Sequence, residues 1–368
     1  MLFLGAGASA PFGIPTMKEL VIDFENHLAS GEENAKETKI YKKIKNDLKR
    51  YLGKDADLEE VFTVIESMVN FEDLNLDVFS TYLFGKYLTE VRSQFDEEET
   101  SSSLDLSIML REFVKEKCKI PSTSFAKIAE VYKDLFNRFF YESSSFGTGD
   151  HMGKDSAASG RWPIFTTNYD TCLEYYFRKA AKLPLNTGFS PDNVTNTMVM
   201  NNDRLFESDV TRLFKLHGSV SWFVDSEGTV TEEQMIGTSL VGREYLGEMM
   251  VYPIQEKQLY LEPYITMFRQ LNHELAAREN WVVIGYSFND PIILSIFLEN
   301  ASDQKRMIVV DPHASEFISK IDDIDISQGL KMCPIDDKFG EEDYREVNCK
   351  IMRCIKKQLK YDSSKTPP

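Results

Sequence analysis

Apolar positions in this chain follow two different rules along its length. Near the start, Leu2-Phe3-Leu4 is a short apolar run stopped by Gly5-Ala6-Gly7. Met17, Leu20, Val21, Phe24 and Leu28 then recur at the spacing of a helix face. Residues 2–29 therefore read as a strand, a turn supplied by Gly5, Gly7 and Gly13, and a helix opened by the capping box Thr16-x-x-Glu19. Ile40, Ile44, Leu48 and Leu52 repeat the helical spacing over 36–52, and Asp57-x-x-Glu60 caps a helix carrying Val61, Val64, Ile65 and Met68. Further helical patterns cover about 76–94, 104–117 and 123–141. The acidic run Asp96–Glu99 reads as a solvated loop between two of them. From 30 to 142 the pattern is a helical block without a strand.

After a Ser- and Gly-rich linker at 143–161 the pattern changes. Pro163-Ile164-Phe165-Thr166-Thr167 is a buried strand ending in polar Asn168-Tyr169-Asp170, followed by a helix through Leu173, Tyr176 and Phe177. Arg212–Leu216 is another strand, stopped by His217-Gly218. A helix over about 263–277 precedes Trp281-Val282-Val283-Ile284-Gly285, and Met307–Asp311 follows one helix later. Apolar strands alternating with helices predict a parallel sheet covered on both faces. The fold class is α/β, a Rossmann-like parallel sheet with a large all-helical insertion after the first βα unit. Residues 1–29 are that first unit, 30–142 the insertion, 143–161 the linker and 162–320 the rest of the sheet. Residues 321–368 are a C-terminal extension with a helix at about 340–360 and a polar tail, Asp362–Pro368.

Composition narrows the function. The net charge of −17 opposes direct nucleic-acid binding. No run of eighteen apolar residues is present, so no membrane span is expected. The five cysteines are scattered and never spaced Cys-x-x-Cys, which argues against a disulfide framework and a structural zinc site. A reducing cytoplasm is the expected location, and no metal is expected.

In open α/β sheets ligands bind at the carboxyl ends of strands. Four such ends here carry Gly5-Ala6-Gly7-Ala8-Ser9, Asn168-Tyr169-Asp170, His217-Gly218-Ser219 and Gly285-Tyr286-Ser287. The glycine turn suits close approach to a pyrophosphate, and equally suits an ordinary strand-to-helix turn. His217 at a strand end can be a general base or a structural hydrogen-bonder. Asn168 and Asp170 project to one side of an extended segment, and Asp170 can also cap the next helix. Asp23 and Glu25 are the only acids about twenty residues past the glycines, where a hydride-transfer enzyme would need one, and they lie inside the helix.

Taken in order, Gly5-Ala6-Gly7-Ala8-Ser9…Gly13-Ile14-Pro15, Phe165-Thr166-Thr167-Asn168-Tyr169-Asp170, Leu216-His217-Gly218-Ser219 and Ile284-Gly285-Tyr286-Ser287 resemble the motif set of sirtuins. They look most like the Sir2-like NAD⁺ hydrolases of bacterial antiphage defence, over about half the chain. The resemblance implies a sirtuin/DHS-like NAD-binding fold with NAD⁺ as substrate. It implies that Gly5, Ala6, Gly7, Ala8 and Ser9 cradle the pyrophosphate, and that Thr167 also lines the cofactor site. Asn168 and Asp170 would contact the nicotinamide ribose and carboxamide region, and His217 the ribose hydroxyls as base. Gly285 and Ser287 would hold the adenosine side, and Asp311 would sit near the adenine ribose. A homo-oligomer and a HerA-type ATPase partner are implied in the same way. The chain departs from the deacylases of that family. Thr16, Met17 and Lys18 stand where Asp-Phe-Arg is usual, Thr167 stands for a glutamine, and the four-cysteine zinc module is missing. Cleavage of NAD⁺ to nicotinamide and ADP-ribose is the reading to test. A non-catalytic NAD⁺ or ADP-ribose sensor and a protein deacylase are the alternatives.

Overall fold

The computed structural model describes residues 1–31, 35–53, 60–61, 64–65, 97–139, 162–192, 197–207, 209–225, 229–233, 245–250, 262–322 and 329–362. The predicted helix at 76–94, the linker at 143–161 and the tail beyond Asp362 lie outside them, as does most of the helix expected after Asp57. Two compact units emerge. One comprises Met1–Ile14, Ile120–Met250 and Leu259–Pro368, and the other Pro15–Lys119 with Val251–Gln258.

The first unit is built on a seven-stranded sheet ordered β12-β11-β10-β1-β2-β6-β3, every pairing parallel. Its strands are β1 (Leu2–Leu4), β2 (Pro163–Thr166), β3 (Leu185–Asn186), β6 (Thr211–Lys215), β10 (Asn280–Ile284), β11 (Arg306–Val310) and β12 (Lys331–Ile335). The central strands are buried along their whole length, as strands covered on both faces must be. β1 and β2 accordingly read as largely apolar runs, whereas β6 buries Arg212 and Lys215 among ion-pair partners. Phe165 stacks on Phe214 across β2 and β6 at 4.6 Å. Phe3 meets Tyr286 at 4.8 Å and Phe297 at 5.4 Å.

Helices α4 (Phe125–Asn137), α6 (Tyr264–Ala277), α7 (Pro291–Glu299), α8 (Ala314–Asp322) and α9 (Tyr344–Asp362) belong to this unit. The helix expected through Tyr176 is a single turn, α5 (Cys172–Glu174), continued as a π-helical stretch over Tyr175–Ala180. Arg212 on β6 donates to Glu274 on α6 at 2.6 Å, both side chains almost fully buried, and Arg278 adds a second bond at 3.0 Å. Burial alone would raise Glu274, but its bonds to the two guanidinium groups outweigh that and hold the carboxyl below the ordinary glutamate value.

Three further features differ from the sequence expectation. A second sheet, five-stranded and ordered β4-β5-β8-β7-β9, is antiparallel. Its strands β4 (Phe189–Pro191), β5 (Met198–Met200), β7 (Gly218–Asp225), β8 (Val230–Glu232) and β9 (Tyr245–Met250) are mostly too short to carry a periodic signal. The predicted acidic loop at Asp96–Glu99 is corrected from Glu97 onward: Glu97, Glu98 and Glu99 open helix α3 (Glu97–Lys117), and Asp96 lies outside the described residues. Cys333 of β12 and Cys354 of α9 form a disulfide, with Cα atoms 6.6 Å apart. The scattered spacing argued against disulfides, but α9 packs back onto β12 and brings the two together.

The second unit contains α1 (Met17–Ser30), α2 (Ala35–Leu52) and α3. Its core gathers Leu20, Phe24, Ile44, Leu48, Leu106 and Leu110, all buried. Phe24 lies edge-on to Tyr41 at 5.6 Å and Phe113 at 5.2 Å. The capping box is present: the Thr16 backbone N–H and hydroxyl both donate to the Glu19 carboxylate. Asp23 pairs with Lys117 at 2.6 Å and Glu25 with Lys45, so both acids are engaged inside the helical unit. Among the described residues no helix is long and apolar enough to cross a membrane.

Phe3 is fully buried and ties β1 to the β10 end through Tyr286 and to α7 through Phe297. Phe3→Ala is expected to cost about 3–5 kcal/mol in urea unfolding. A loss below about 1 kcal/mol would mean the cluster does not hold these elements.

Candidate functional site

The sheet order places the motif-bearing strand ends side by side. From β11 through β10, β1 and β2 to β6, five adjacent strands finish at one edge with Asp311, Gly285, Gly5, Thr167-Asn168 and His217. The registers Leu4↔Ile284, Leu4↔Thr166 and Thr166↔Lys215 fix the alignment. Asn168 and His217 each lie two residues beyond the last of these pairs, on strands whose axes run about 4.8 Å apart.

At the centre of this edge the glycines interlock. Gly5 N–H donates to Ile284 O and Gly7 N–H to Gly285 O, both at 2.9 Å. A β-carbon on Gly5 would stand 2.5 Å from Gly285 O, and one on Gly285 would stand 2.2 Å from Ala8 N. Gly285 also has φ +64°, which only glycine adopts without strain. Beyond Gly7 the chain winds into two 3₁₀ turns, Ala6–Ala8 and Ala10–Phe12. Ala8 N–H returns to Gly5 O and Ser9 N–H to Ala6 O. The amides of Gly5, Gly7, Ala8 and Ser9 thus donate within the protein, and of the turn's donors these bonds leave out the Ala6 N–H.

Asn168 ties the β2 end to this turn. Its Nδ2 donates to Gly5 O and to Ser9 Oγ, each at 2.9 Å. Since Gly5 O can only accept, this pairing fixes the orientation of the amide and leaves Oδ1 as the atom able to accept from a ligand or water. Thr166 Oγ1 donates to Leu4 O at 2.9 Å and accepts Asn168 N–H at 3.0 Å, which holds the segment in place. Asp170 Oδ1 accepts Cys172 N–H, the first amide of α5, at 2.9 Å from the position before the N-cap Thr171. Among the described residues no hydrogen bond reaches the buried Oδ2 of Asp170. An unpaired buried acceptor costs about 1–3 kcal/mol, and more when charged.

Ser9, Thr166, Asn168, Asp170, Glu174 and Tyr132 line a small pocket of about 10 Å³, room for about one water molecule. Beneath it, buried Lys215 is bonded to Glu174 at 3.1 Å, Ser219 Oγ at 2.9 Å, Tyr169 O at 3.2 Å and Asp170 O. The Cys172 thiol beside the pocket is pushed well above its ordinary range by burial and by the neighbouring Asp170 carboxylate. Burial, then Cys172 and Asp170, likewise raises the Tyr132 hydroxyl.

The remaining predicted residues are distributed along the same edge. His217 is followed by Gly218 at φ +80°, and its Nε2 lies 3.4 Å from Asp290 Oδ2. Ser287 is exposed on the loop after Gly285. Asp311 accepts His313 N–H at 2.9 Å, and partial burial raises its carboxyl above the ordinary aspartate value. Thr167 donates its N–H to Leu4 O at 3.2 Å. Neither Ser287, Asp311 nor His217 borders the pocket. Sequence reasoning missed Glu174, Tyr132 and Asp290. Asp290 had a legible signal, an aspartate directly before Pro291 and an apolar helix.

A family model described as the SIR2-like domain matches residues 163–326, from β2 onward, so the sirtuin likeness of the motifs is borne out over that segment. No curated protein matches the chain. Among solved structures the chain is similar to a Sir2 bound to acetylated peptide, with 10% identity over 96% of this chain and 91% of that one and a TM-score of 0.36. It is also similar to a mutant Sir2 homologue in complex with ADP-ribose, with 12% identity over 100% and 94% and a TM-score of 0.38. Likenesses this distant add nothing to the geometry above.

The glycine interlock generates a prediction. In Gly285→Ala the new methyl meets backbone, which cannot swing aside as a side chain would, and the left-handed φ adds strain. Thermal and urea unfolding are expected to show a loss of about 3 kcal/mol or more, or no folded protein. An alanine variant as stable as the parent would contradict the packing described.

Proposed function

We propose that this chain hydrolyses the N-glycosidic bond of NAD⁺, releasing nicotinamide and ADP-ribose. The observation that carries the reading is the buried Asp170 Oδ2, without a hydrogen bond among the described residues, on the same pocket as Asn168 Oδ1. A carboxamide N–H₂ is the kind of donor that a lone carboxylate oxygen in such a place needs. At about 10 Å³ the pocket has room for one water and not for a ring. In this reading the nicotinamide carboxamide sits at its mouth, with the rest of the dinucleotide running along the strand ends toward the glycine turn and Gly285. Phosphate binding at the turn would then use Ala6 N–H and the space left by the missing β-carbons, more than a cradle of several amides.

Nicotinamide leaves as a neutral ring, so no acid is needed at the departing nitrogen. The bond from C1′ to the ring nitrogen breaks, water adds to C1′, and one proton is released. Asn168 Oδ1 holds the attacking water or a ribose hydroxyl, and His217 takes the proton, directly or through that hydroxyl. In this reading the unit built on the seven-stranded sheet binds NAD⁺, and the helical unit, Pro15–Lys119 with Val251–Gln258, is the insertion. The insertion offers a surface for homo-oligomers and for a HerA-type ATPase, 321–368 is a C-terminal extension, and NAD⁺ depletion in the cytoplasm serves antiphage defence by abortive infection.

Nicotinamide release from NAD⁺ tests the reaction. His217→Ala is expected to lower the rate by about two to four powers of ten while the protein stays folded. Asn168→Ala should do the same and also cost about 1–3 kcal/mol of stability, because Gly5 O and Ser9 lose their donor. Full activity in either variant refutes the site. NAD⁺ binding without nicotinamide release by the parent would instead assign the chain as a sensor.

A further inference from the structure

We infer that Asp290 is a positioning residue that sets the tautomer and orientation of His217. This rests on His217 being the proton acceptor of the proposed reaction. Asp290 is the N-cap of α7, and its Oδ1 accepts the N–H groups of Ile292 at 3.0 Å and Ile293 at 3.3 Å. Those two bonds fix the carboxylate at the positive end of the helix. Its second oxygen, Oδ2, faces His217 Nε2 at 3.4 Å, with 8% of the aspartate side chain and 9% of the histidine exposed. A carboxylate can only accept, so the nitrogen facing it carries the hydrogen. The lone pair of a neutral His217 is thereby placed on Nδ1, the nitrogen that can take a proton.

The loop that delivers Asp290 is built to hold this position. Phe288, two residues earlier, sits at φ +56°, a left-handed conformation that is strained for a residue with a β-carbon. It is held there by Tyr286 at 5.1 Å and Phe297 at 5.7 Å, which themselves pack on Phe3. Strain of this kind persists only where the surroundings over-determine it. The aromatic cluster anchors the loop on both sides, from Gly285 at its start to α7 at its end.

Two substitutions in the full chain separate helix capping from histidine positioning. In Asp290→Asn the amide oxygen continues to cap α7, which turns the N–H₂ toward His217 Nε2 and imposes the opposite tautomer. Asp290→Ser retains an N-cap and removes the acceptor. Ring ¹⁵N spectra of His217 at a pH where it is neutral are expected to show Nε2–H in the parent, Nδ1–H in Asp290→Asn and a mixture in Asp290→Ser. With NAD⁺, Asp290→Asn should lose about 10²–10⁴ in kcat, with KM changed by less than about threefold. Asp290→Ser should fall between it and the parent. Identical ring spectra in the parent and Asp290→Asn, or a tautomer swap that leaves kcat unchanged, would overturn the proposal. A swap in a parent that releases no nicotinamide would sink the hydrolase reading while the Asp290–His217 pairing stands.

Discussion

The close approach of two backbone loops, Gly5–Gly7 and Gly285, is the constraint from which the rest of the site follows. Each would be blocked by a single methyl group, and their amides and carbonyls bond directly across the gap. This contact brings the β1 and β10 ends close enough for the turn after β1 to curl over the edge of the sheet. Gly5 O and Ser9 Oγ are then within reach of Asn168 on the other side. The amide of Asn168 is held by the turn, and the turn by β10, so three strand ends share one rigid framework. Backbone packing of this kind is far less adjustable than side-chain packing, and it suits a place where the geometry of a few polar atoms matters.

A second layer lies under that framework. Lys215 is buried with Glu174, Ser219 and the carbonyls of Tyr169 and Asp170, and each of its bonds reaches a segment next to the pocket. A buried ammonium demands partners, and satisfying it determines where the chain after β2 can run. The π-helical stretch after Glu174 lets Tyr176 and Phe177 reach Phe136 at 5.4 Å and 4.9 Å, closing the layer with apolar contacts. The polar site is thus braced from below by one ion pair and from the side by aromatic rings.

Much of this architecture is written in local patterns. Leu2–Leu4, Pro163–Thr166, Trp281–Ile284 and Met307–Val310 are apolar along their length because both faces are covered, and that property survives in a single sequence. Apart from β6, strands lacking it were not legible. β3 has two residues, β12 is partly exposed, and β4, β5 and β8 pair antiparallel with three residues each. The site divides in the same way. Asn168, Asp170 and His217 stand out as polar residues ending apolar runs. Glu174 and Tyr132 are unremarkable members of helices, and only the tertiary fold brings them to the pocket. The Cys333–Cys354 bridge is likewise a tertiary event, invisible in spacing.

The outer strands of the parallel sheet carry a last consequence. On one side β3 offers a two-residue ladder, and on the other β12 contains Pro334, which has no amide hydrogen to donate. Such short or interrupted borders give another polypeptide little to zip onto, a common safeguard against amyloid-like stacking and domain exchange. At these two borders a second polypeptide finds little backbone to pair with, and the parallel sheet ends where its own chain ends it.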